Sequence, residues 1–153
     1  MTHPDGPARG VLAEVVSTAD LPLRVHAEPE LPGGYFEGGL PDDPDRAFVV
    51  EAVHEGWLMH YDSPRAFTRM DADLRLLGGD ALFALGLARL AARGDLEAVA
   101  ELADLISLCA RAVAEGRQEW AHELWRASVE ALAAGPEGAP GGGANAAYVR
   151  LVT

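Results

Sequence analysis

Four consecutive stretches of helical apolar periodicity, each bounded by residues that start or stop helices, occupy most of residues 43–134. That pattern constrains the chain to an all-α fold more strongly than any other feature. Asp43-Pro44-Asp45 opens the first stretch: Asp43 can cap free amides, Pro44 suits the first helical position, and Asp45 favours the positive end of the helix dipole. Ser63-Pro64 ends it near Asp62. The second stretch runs from Ala72 to Arg93, between Asp71 and Gly94. Its circumference is apolar apart from a stripe of Arg75, Arg89 and Arg93, the mark of a central helix with neighbours on most sides. Gly94-Asp95 stops one helix and caps the next, Leu96–Glu115, which Gly116 closes; Arg117–Ala133 completes the set. The expected architecture is a compact bundle of four to five helices centred on Ala72–Arg93.

The flanks read differently. Residues 1–42 are rich in Pro and Gly, with helical character only over Ala8–Thr18, and are expected to form a largely irregular arm. Residues 1–134 therefore read as one helical domain. Residues 135–145 read as a Gly-rich linker, and Ala146–Thr153 as a short apolar tail.

Composition narrows the function classes. The 153 residues carry a formal net charge of −12, and all 12 cations are Arg, with no Lys. Such a chain is repelled by nucleic acid and by anionic membrane surfaces. One cysteine excludes an internal disulfide and a cysteine-based zinc site. No apolar stretch approaches the ~20 residues of a membrane span. The Met1–Asp5 segment has neither the basic nor the apolar part of a secretion signal, so a cytoplasmic location is expected.

Two Glu-x-x-His pairs, Glu51/His54 and Glu119/His122, have the spacing of di-iron ligands. On the helical wheel Glu51 groups with Glu55 and Asp62, and Glu119 and His122 group with Glu123, Arg126 and Glu130. Both pairs are therefore expected to be solvated, and no metal is expected. Cys109 lies mid-helix on a packed face and reads as inert core. Gly78-Gly79 sits inside a helix, which marks the close approach of another helix rather than a phosphate loop. Asp80 is expected to be buried and paired, and His60 lies on an apolar face. Trp57 and Trp125 are large groups expected near the surface. These four, Trp57, His60, Asp80 and Trp125, are the binding or interface candidates. No nucleophile–base pair, catalytic residue or cofactor motif emerges. The excess of apolar surface points to a dimer or larger assembly, with the tail packed on a neighbouring surface.

The stretch Leu76-Leu77-Gly78-Gly79-Asp80-Ala81-Leu82-Phe83-Ala84-Leu85-Gly86-Leu87-Ala88-Arg89-Leu90-Ala91 resembles one helix of the all-α polyprenyl diphosphate synthases. The segment from Ala52 to Asp62 is similar to the helix on which that family places a His ahead of its first aspartate-rich motif, and the resemblance covers Phe48 to Gly116. It implies an isoprenoid-synthase-like half. The family binds magnesium through two Asp-Asp-x-x-Asp motifs. Here His60-Tyr61-Asp62-Ser63-Pro64 stands at the first, and the second is absent. The chain accordingly resembles most the small, non-catalytic subunits of two-component synthases. That resemblance implies a subunit that shapes the product tunnel or stabilises a catalytic prenyltransferase partner. The alternative is a self-associating helical scaffold or adaptor unrelated to isoprenoids.

Overall fold

A computed structural model describes residues 10–135 and 141–153. The expectations for Met1–Asp5, for Ala8 and Arg9, and for the central part of the linker (136–140) lie outside the described residues. The fold is all-α, in order α1 (Val11–Thr18), α2 (Leu21–Arg24), α3 (Pro44–Tyr61), α4 (Ala72–Arg93), α5 (Leu96–Ala114), α6 (Ala121–Ala134) and α7 (Ala144–Val152). Among the described residues there is no β-strand, only one isolated antiparallel bridge between Ala27 and Phe67. No described helix is long and apolar enough to cross a membrane.

The helix boundaries follow the local chemistry read from the sequence. Asp43 Oδ1 accepts from the Arg46 amide at 3.0 Å, Asp71 Oδ1 from Leu74 at 2.8 Å, and Asp95 Oδ1 from Ala98 at 3.3 Å. Gly94 and Gly116 close α4 and α5 with φ of 76° and 73°, a left-handed conformation open to glycine at little cost. Arg117–Ala133 is refined to a 3₁₀ turn, Gln118–Trp120, followed by α6.

The chain divides into two compact units, one ending at Arg89 and the other beginning at Leu90. In the first, α1 packs along α3, and residues 19–42 add α2, a 3₁₀ turn and irregular segments. The enclosed helix is α3: every residue from Ala47 to Met59 is buried. This corrects the expectation that Ala72–Arg93 is surrounded, since Leu76, Leu77, Ala81, Ala84 and Ala88 of α4 are exposed. The apolar circumference of α4 exceeds what its neighbours cover.

In the second unit α5, α6 and α7 pack on one another. The tail is thus a helix seated on α5 and α6 of its own chain, with Val149 and Val152 left exposed. Glu101 explains the seat. Its carboxylate accepts from the Ala144 amide at 2.9 Å and from the Ser128 hydroxyl, so it caps α7 from α5 while Ala144, Ala147 and Tyr148 are buried.

Candidate functional site

The densest polar cluster of the first unit lies along one side of α3. Glu51, His54 and Glu55 follow at helical spacing and share one sector of the helix. Two irregular segments, around Tyr35-Phe36 and Arg65-Ala66, carry backbone amides outside any helix, and such partly covered donors need acceptors. Glu51 supplies one set, accepting from the Tyr35 amide at 2.8 Å and from the Phe36 amide. Glu55 supplies the other, accepting from Arg65 N at 2.8 Å and Ala66 N at 2.7 Å. The Arg65 guanidinium donates to Glu51 at 3.3 Å and to the Gly33 carbonyl at 3.3 Å, and lies over the Tyr35 ring.

These contacts overturn the reading of the Glu51/His54 pair as solvated, because Glu51 and its neighbour Glu55 are fully buried and His54 is buried too. The wheel carried a signal for this: Ala47, Phe48 and Leu58 flank the two carboxylates, so that side of α3 is no charged stripe. Burial pushes the Glu55 carboxyl above its usual range, while the loop amides and Arg65 pull it back. His54 lies among the rings of Tyr35, Phe36 and Trp57, at centroid distances of 5.2, 4.9 and 6.4 Å. Burial, with the Arg65 charge second, lowers its pKa to about 3, so it is neutral near pH 7.

Chemically, the cluster is committed to the fold. A general base needs a lone pair facing a substrate, and both carboxylates face loop amides. The described residues contain no group of three His, Cys, Asp or Glu side chains that could hold a metal ion. In the second unit Glu119 and His122 are exposed, as their wheel positions imply. Cys109 is buried, and burial pushes its thiol up to about 12, far from a nucleophilic thiolate at pH 7.

The four interface candidates separate. Trp57 and Trp125 are only 7% and 3% exposed, so neither offers a surface; the rings of His54 and Tyr61 lie against Trp57. Asp80 is paired as expected, accepting from His60 Nε2 at 3.0 Å, but its side chain is 73% exposed, which corrects its expected burial. It escapes burial because the α4 turn that carries it also carries the exposed Leu76, Leu77 and Ala81. His60 is mostly covered, 15% exposed, and stacks near Phe83 at 5.3 Å.

The Gly78-Gly79 expectation has a direct structural counterpart. A methyl group at Gly79 would lie 2.6 Å from the His60 ring and 2.9 Å from the Gly56 carbonyl; one at Gly56 would meet the Gly79 carbonyl at 2.8 Å. The α3 and α4 backbones therefore touch. At the other end of this contact, a methyl at Gly86 would meet Val53 at 3.0 Å.

Beside this contact, the first unit carries a groove of about 320 Å³ between the α1–α2 junction and α4. Sequence reasoning missed the groove, along with Arg65 and Glu101, because each depends on segments distant in the chain. Comparison with known proteins gave no match: no family model fits the chain, and no curated protein or solved structure is significantly similar to it.

Proposed function

We propose that the chain is a non-catalytic helical subunit that acts by docking to a catalytic chain. The observation that carries this reading is the commitment of Glu51 and Glu55, the two buried carboxylates of α3, to loop amides. On the helix where the polyprenyl diphosphate synthases place metal-binding carboxylates, this chain spends its buried acids on its own fold. The resemblance of Phe48–Gly116 nominates a polyprenyl diphosphate synthase catalytic chain as the partner. Stabilisation of that partner is favoured over shaping a tunnel between α3 and α4, because the glycine contacts leave no space there for a prenyl chain.

The exposed Leu76, Leu77, Ala81, Ala84 and Ala88 of α4 suit a second reading, a self-associating helical scaffold unrelated to isoprenoids. Capture of the tagged full-length chain from its native cells separates the two. A prenyltransferase catalytic chain recovered in stoichiometric amount supports the first. Its absence, with a dimer or larger species by light scattering at micromolar concentration, supports the second.

A further inference from the structure

We propose that the groove beside α4 seats one amphipathic helix of a partner chain, apolar on the seated side and bearing Lys or Arg on its flanks. The proposal rests on the docking-subunit reading and specifies its surface. Buried Ala19, Leu23 and Leu82 line the groove floor, and exposed Ala81 and Ala84 form the α4 wall. The wall continues in both directions along the same face. Leu77, one turn before Ala81, is 68% exposed, and Ala88, one turn after Ala84, is exposed too. From Leu77 to Ala88 this strip runs about 16 Å, enough for roughly three turns of a docked helix. Alanines let a second helix axis approach to about 8–10 Å, and Leu77 supplies a ridge to interlock with it.

Charge selects the occupant. Residues 10–89 contain 14 acidic residues and six arginines. Four of those arginines are tied within the unit: Arg46 to Asp43, Arg65 to Glu51, Arg75 to the Asp62 carbonyl, and Arg89 to Glu14 and Asp45. Asp20 lines the groove and exposed Asp80 and Asp73 stand along α4, with Arg24 on α2 the cation of that side among the described residues. A second copy brings the same net charge of −12 and is repelled at long range, whereas a basic helix is attracted.

The test uses the full chain and two labelled synthetic peptides that share one Leu/Ala face, one flanked by Lys and the other by Glu. Fluorescence anisotropy should show binding of the Lys-flanked peptide, weakened by salt, and little binding of its Glu-flanked twin. Leu77→Glu and Ala84→Glu, both at exposed positions, should each weaken binding by about tenfold or more while leaving the circular dichroism spectrum unchanged. Simple adsorption of a cation to an acidic protein would instead strengthen with the added charge. Undiminished binding by these variants, or equal binding of both peptides, overturns the proposal. So does a dimer in light scattering that Leu77→Glu dissociates, since the occupant is then a second copy. Captured catalytic chain that survives Leu77→Glu and Ala84→Glu would remove this seat while leaving the subunit reading intact.

Discussion

His54 and Glu55 are neighbours on α3, yet acid acts on them in opposite senses. The folded chain holds the His54 pKa at about 3 against an ordinary 6.5. Between those values the unfolded chain binds a proton that the folded one refuses. The stability from neutral His54 is therefore complete above pH 6.5 and is lost as pH falls toward 3, by up to about 1.4 kcal/mol per pH unit. Glu55, raised above its ordinary 4.5, contributes stability that is present below 4.5 and lost as pH rises through its folded value. Between roughly pH 7 and pH 5 the urea midpoint of the native chain should drop relative to that of His54→Gln, which keeps Glu55 but lacks the histidine; parallel curves would refute the assignment. Glu55→Ala leaves the Arg65 and Ala66 amides without their acceptor and should cost about 2–4 kcal/mol, with Glu55→Gln costing less because one oxygen remains. Equal losses for the two would show that the amides do not depend on this carboxylate. Little of this was legible in the sequence. The i, i+4 spacing put the glutamates on one side of α3, but the loops that bury them arrive from 16 and 10 residues away.

Among the helices, the crossing of α3 and α4 is set by glycine. An exposed mid-helix Gly→Ala change gains up to about 1 kcal/mol in helix propensity. At Gly79 the added methyl meets the His60 ring and the Gly56 carbonyl, so Gly79→Ala should instead destabilise by about 1–3 kcal/mol. A neutral or stabilising result in thermal unfolding would mean that the two helices are not held at this distance. Helix ends were readable in advance because caps are local: Asp43, Asp71, Asp95, Gly94 and Gly116 act within four residues of where they stand. Which helix is enclosed was not readable. Leucine and alanine made α4 look central, but burial depends on what covers a face, and the irregular segments before and after α3 cover that helix instead.

For the molecule as a whole, α4 runs from the first compact unit into the second, whose boundary falls after Arg89. The all-α class followed from periodicity alone. The tail did not, because a nine-residue apolar segment has no distinctive period, and its helix depends on the Glu101 carboxylate contributed by α5. A chain ending at Gly135 loses that cap together with the buried Ala144, Ala147 and Tyr148, and should be less stable by about 2–4 kcal/mol. An unchanged melting temperature would place α7 outside the cooperative fold. The two glutamates of α3 carry a consequence for how the first unit exchanges hydrogen with solvent. Amides in irregular segments ordinarily exchange through small local openings, within a time far shorter than those of core helices. The amides of Tyr35, Phe36, Arg65 and Ala66 are held by buried carboxylates of α3, so deuterium should enter these four positions more slowly than it enters the neighbouring amides of the same irregular segments.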